Sequence, residues 1–127
     1  MKQNLPLTIA SLLSILLFTI HLAHDFVLGL DSMSRAETST YLLIMLVALY
    51  GTVQLAGRRS GYIVTLLLAI LALGLPVLHT VGGPRSAERG FFFVWTLLAL
   101  GGSGVFAAAL SVRGLWQSFR SPATAAQ

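Results

Sequence analysis

Residues 5–30 read "LPLTIASLLSILLFTIHLAHDFVLGL", a run in which Asp25 is the one acidic residue and no lysine or arginine occurs. At 1.5 Å per residue a helix of this length covers more than the ~30 Å hydrocarbon core of a bilayer. The stretch therefore reads as a membrane-spanning helix. Its polar residues are the unusual part, because ionisable groups are costly in a bilayer and have a partner or a purpose there.

The rest of the chain repeats the pattern. Of 127 residues, 56% are hydrophobic and 9% are charged, against about 25% charged in a soluble domain. Too little polar surface is present to wrap a core in water. Helices are expected at about 5–30, 34–56, 61–81 and 90–116, forming one domain over residues 1–116, with a disordered polar tail at 117–127. The connectors are short, which sets neighbouring helices antiparallel. The expected fold is all-α, a membrane four-helix bundle running up-down-up-down with both termini cytoplasmic.

Local signals agree with these boundaries. Ser34 and Glu37 have the S-x-x-E spacing of a capping box. Ser60 is the expected N-cap of the third helix, and Gly82-Gly83-Pro84 ends it. A cleaved signal peptide is disfavoured: the apolar run is long for one, and no small-x-small site follows it.

Orientation follows from the basic residues. Lys2, Arg58, Arg59, Arg113 and Arg120 fall on one side of the membrane, and Arg35, Arg85 and Arg89 on the other. The richer side is expected to be cytoplasmic. All four acids, Asp25, Asp31, Glu37 and Glu88, fall on the opposite side. Trp116 and Trp95 fit interfacial anchors at the inner and outer ends. The formal charge of +4 sits at the ends of apolar runs and is not interleaved with aromatics, so nucleic acid is not an expected partner. The lipid bilayer is, with a homodimer or a larger membrane complex as further assemblies open to the chain. There is no cysteine, hence no disulfide framework, thiolate metal site or redox dithiol.

In this topology all three histidines converge near the outer face. On the first helix Ser11, Ser14, Phe18, His21, Asp25 and Gly29 fall within a sector of roughly 80°, and polar groups in such a helix should face the bundle. His21 and Asp25 are an i, i+4 pair, and His24 lies about 60° away. On the third helix Thr65, Leu68, Ala72, Leu75 and His79 make a comparable stripe, with Pro76 expected to kink it. His21, His24, Asp25 and His79 are thus candidate ligands for zinc or copper. A b-type haem between an imidazole of the first helix and His79 is a second option, with Gly29, Gly74, Gly82 and Gly83 making room for the ring. The plainer reading is a polar clasp between helices, with Asp25 paired to Arg85 or Arg89.

On the fourth helix Ala99, Ser103, Gly104, Ala107 and Ser111 give a small-residue face, for packing within the bundle or for self-association. "FFFVW" at 91–95 reads as an aromatic belt. No nucleophile–base–acid order or phosphate loop is present, so no catalytic residue is assigned and autonomous enzymatic activity is not expected. The leading expectation is a structural or accessory membrane protein, or one binding a small apolar ligand. The alternatives are an outward-facing metal or haem protein and a small dimeric transporter.

The stretches "YGTVQLAGRRSGYIVTLLLAILALGLPVLH", "GFFFVWTLLALGGSG" and "LSVRGLW" resemble a family of short bacterial four-helix integral membrane proteins. The resemblance implies a bacterial origin and four spanning helices. It brings no activity, cofactor or site residue.

Overall fold

The computed structural model describes residues 4–27, 34–81 and 90–120. Among the described residues there are four helices: α1 (Leu5–Val27), α2 (Arg35–Val53), α3 (Arg59–Val81) and α4 (Phe91–Arg120). All four are long and apolar enough to cross a membrane.

The distribution of side chains is the reverse of a water-soluble bundle. Leu16, Leu46, Leu67 and Leu98 are each more than half exposed, whereas Ser11, Ser14, Thr65, Thr96 and Ser111 are buried. Large exposed apolar residues cover every helix, far beyond what a soluble monomer tolerates. Lipid is the solvent that suits such a surface. Without a hydrophobic drive between helices, association rests on close packing and interhelical hydrogen bonds, and both are present.

Close packing is clearest between α3 and α4, which share the largest interface. A Cβ added to Gly104 would stand 3.1 Å from Ala72 Cβ and 3.2 Å from the Ala69 carbonyl oxygen. One added to Gly114 would run into the Tyr62 ring. The small-residue face of α4 is thus taken up inside the chain: Gly104, Ala107 and Ser111 are buried, and Ala99 and Ser103 are half-buried.

Hydroxyls join the helices in pairs. Ser11 meets Thr52 at 2.6 Å, Ser14 donates to Ser103 at 3.0 Å, and Thr65 meets Ser111 at 2.9 Å. Further along α1 an apolar layer takes over, made of Leu17, Phe18, Met45, Ala48, Leu68, Ala72 and Leu100. Beyond that layer lie the histidines. The bundle interior therefore alternates: a hydroxyl tier, an apolar tier, and a tier of ionisable groups.

Several boundaries depart from the sequence expectation. The Ser34–Glu37 capping box forms as expected: Glu37 N–H donates to Ser34 Oγ, and the Glu37 carboxylate accepts from Ser34 N–H at 2.7 Å. Ser60, however, is not an N-cap. α3 begins at Arg59, and the Arg58 carbonyl accepts the first-turn bond from Tyr62 N–H at 3.1 Å. The reason is the abruptness of the preceding turn. α2 stops at Val53 rather than 56, and Gly57 adopts φ +75°, a conformation that favours glycine. α4 continues to Arg120, so residues 117–120 are helical rather than tail. Arg59 Nη2 donates to the Ser118 carbonyl at 2.7 Å and Arg120 stacks on Trp116 at 4.6 Å, which hold those turns. The end of the first helix (28–30), the Gly82-Gly83-Pro84 stop and the tail from 121 lie outside the described residues.

Candidate metal centre

The stripe predicted on the first helix is the buried face of α1. Ser11, Ser14, Phe18, His21 and Asp25 are all buried, while Gly29 is outside the described residues. Two turns separate Ser14 from His21, and Phe18 between them contributes to the apolar tier. The helical period then brings His21 and Asp25 over that tier, facing α3 and α4.

Three candidate ligands converge there. One donor atom from each of His21, Asp25 and His79 lies within 4.8 Å of the other two. His21 is 1% exposed and Asp25 3% exposed, so the carboxylate has almost no access to bulk water. His21 Nε2 faces Asp25 Oδ2 at 3.6 Å, and the His21 and His79 rings meet edge-on with centroids 5.6 Å apart. His24 stands beside this group rather than in it: its Nδ1 lies 3.6 Å from Asp25 Oδ1 and its ring packs on Phe92 at 5.1 Å. Both His24 Nδ1 and Asp25 Oδ1 are buried and make no hydrogen bond among the described residues. Arg85 and Arg89, the expected rim partners of Asp25, are outside the described residues.

The sequence reading missed two residues of the site, both on α4. Thr96 Oγ1 contacts His21 Nδ1 at 3.1 Å and donates to the Phe93 carbonyl at 2.9 Å. A threonine hydroxyl has one proton and a carbonyl can only accept, so the Phe93 bond uses that proton. The contact with His21 is then made by an imidazole N–H donating to Thr96 Oγ1. In the tautomer that serves both contacts Nδ1 carries the proton, and Nε2 turns its lone pair toward Asp25, the position a cation would take. A lone pair and a carboxylate repel. A proton on Nε2 or a metal ion between the two removes that repulsion, and a ligating histidine whose other nitrogen donates to a neighbour is the usual arrangement at a metal.

Phe93 is the second. It is fully buried, and its ring lies 4.9 Å from that of His21 and 5.1 Å from that of His79. Phe91 and Trp95 are exposed, so the aromatic run is a belt with one member turned inward. The signal was the spacing of Phe93, Thr96, Leu97, Leu100, Gly104, Ala107, Ser111 and Gly114, which is the buried face of α4.

The residues present fit a small ion better than a haem. Donors around zinc at ~2.0–2.1 Å stand about 3.4 Å apart in tetrahedral geometry, and the three donors here already lie within 4.8 Å of one another. A haem needs a wide flat slot at His21, and Phe93 fills that space. Gly74 does not open one: it lies about 140° around α3 from His79. Gly82 and Gly83 are outside the described residues.

Apolar grooves open on the outer surface of the bundle, one of them between α1 and α2 lined by Leu22, Phe26, Tyr41 and Met45 with Thr19 and Thr38 at its edges. No charged side chain lines it, and its few hydroxyls do not form the convergent polar set that orients a specific ligand. Comparison with models of protein families, with curated proteins and with solved structures finds no match to this chain.

Proposed function

We propose that this chain is a multi-pass protein of the bacterial inner membrane that binds one zinc or copper ion in the outer half of its bundle, without catalysis of its own. His21, Asp25 and His79 are the ligands, Thr96 orients His21, and His24 supports Asp25 from the side. The observation that carries this reading is the convergence of three donors within 4.8 Å at a buried carboxylate. Two imidazoles and a carboxylate form a ligand set that zinc and copper both accept.

The bundle runs up-down-up-down with both termini cytoplasmic. The order of contacts supports this: Ser11 meets Thr52 while Phe18 meets Tyr41, and Thr65 meets Ser111 while Ala72 meets Gly104. The excess of lysine and arginine at the end opposite the histidines supports the orientation. The apolar tier of Phe18, Leu68, Ala72 and Leu100 favours a site reached from the outer face only, and so favours binding over transport. An accessory role, in which metal occupancy clamps α1 to α3, follows.

The test is a titration of zinc and of copper into metal-free, tag-free protein in detergent. One ion per chain is expected, with saturable binding lost in His79→Ala and in Asp25→Asn while helical content is unchanged. Absence of saturable binding in the wild type overturns the reading and leaves a polar clasp between helices.

A further inference from the structure

The arginine end of the bundle, remote from the histidines, has its own chemistry. α4 has 30 residues, about 45 Å at 1.5 Å per residue, against a hydrocarbon core of ~30 Å. Its last turns therefore lie among headgroups. There Arg113, Trp116 and Arg120 fall within roughly 60° of one another around the helix, and all three are exposed. Arg59, at the start of α3, joins them through its bond to the Ser118 carbonyl and its stacking on the Phe119 ring at 4.8 Å.

Two features distinguish this cluster from a scatter of topology-setting charges. First, no acid is available to it. Asp25 and Glu37 lie at the other end of the bundle, and the sequence has no aspartate or glutamate in residues 54–60 or 113–127. Among the described residues the guanidiniums have no carboxylate partner at this end. Second, two of them are held in place by aromatic rings and a carbonyl, Arg59 on Phe119 and Arg120 on Trp116. Side chains ordered in advance lose less freedom on binding, and a guanidinium offers a planar fork suited to phosphate oxygens.

We propose that Arg59, Arg113 and Arg120, with Trp116 and Phe119 seated at the interface, form a docking surface for the phosphodiester headgroups of anionic lipids in the leaflet at this end. The guanidiniums pair with phosphate oxygens, and the indole and phenyl rings lie against the upper acyl chains. This site is independent of the metal centre.

The test places the protein in nanodiscs of phosphatidylcholine alone or with phosphatidylglycerol, and reads retained lipid by native mass spectrometry after release, together with Tm. Phosphatidylglycerol should be retained selectively and raise Tm. Each arginine near a charged surface is worth about a fivefold change in retention, so Arg113→Gln with Arg120→Gln should weaken retention by roughly 25-fold. Arg35→Gln, at the histidine end, should leave retention unchanged. If the double variant loses helical content, Arg113→Gln alone carries the test, with the expected fivefold loss. Equal retention by wild type and variants overturns the proposal. So does an equal loss in Arg35→Gln, which would mean general electrostatics, or the same rise in Tm from inorganic phosphate in phosphatidylcholine discs.

Discussion

Thr96→Val tests whether a hydroxyl relay sets the metal-facing nitrogen of His21. Valine keeps the shape of threonine and lacks only the hydroxyl. The change removes the 3.1 Å contact to His21 Nδ1 and the 2.9 Å bond to the Phe93 carbonyl. The imidazole N–H then points at a methyl group in a site where the ring is 1% exposed. A buried donor left without an acceptor costs about 1–3 kcal/mol. The ring can recover that only by turning or by moving its proton to Nε2, and either change withdraws the lone pair from Asp25 and His79. Loss of such an orienting partner weakens metal binding about 10–100-fold, or about 1.4–2.7 kcal/mol, which agrees with the cost of the orphaned donor. The assay is competition with a chromophoric chelator in detergent, using tag-free protein. Thr96→Ser restores the hydroxyl and should restore the affinity. Wild-type affinity in a folded Thr96→Val protein, or an equal loss in Thr96→Ser, would refute the relay.

Other consequences follow from the packing. At Gly51 an added Cβ meets the Val64 side chain, whereas at Gly74 nothing lies within 4 Å. Gly51→Ala should therefore lower Tm in detergent, at an overpacking cost of about 1–3 kcal/mol, while Gly74→Ala should leave Tm unchanged or raise it. A double-mutant cycle on Thr65→Ala and Ser111→Ala, which bond at 2.9 Å, should give a coupling of about 0.6 kcal/mol and no more than about 1.7 kcal/mol; additive losses would mean the pair contributes nothing. Ser34→Ala removes half of a capping box and should cost about 1 kcal/mol, read as faster amide exchange in the first turn of α2 with α3 and α4 unaffected.

What the sequence made legible was whatever periodicity alone decides. Ser11, Ser14, Phe18, His21 and Asp25 share a face at 3.6 residues per turn, and a membrane offers polar groups one favourable direction. The buried face of α1 is therefore legible from residue spacing alone. The convergence of His79 on His21 was also in view, because both lie near the same end of helices joined by short connectors. Thr96 and Phe93 were less visible for a physical reason. In "FFFVW" every position is compatible with the interface, so composition does not reveal which phenylalanine turns inward; only the phase set further along by Leu100, Gly104 and Ser111 does. The start of α3 was misread because a serine before an apolar run resembles an N-cap. The backbone reversal at Gly57 had already placed the Arg58 carbonyl to accept the first helical bond, and that depends on a dihedral angle rather than on residue type.

The most direct measurement is elemental analysis of the intact protein purified in detergent without a polyhistidine tag or chelators, for zinc, copper and iron per chain, alongside His79→Ala. The account predicts close to one zinc or copper per chain in the wild type and loss of it in His79→Ala with helical content retained. A wild-type content near zero, or a metal content unchanged in His79→Ala, would contradict it.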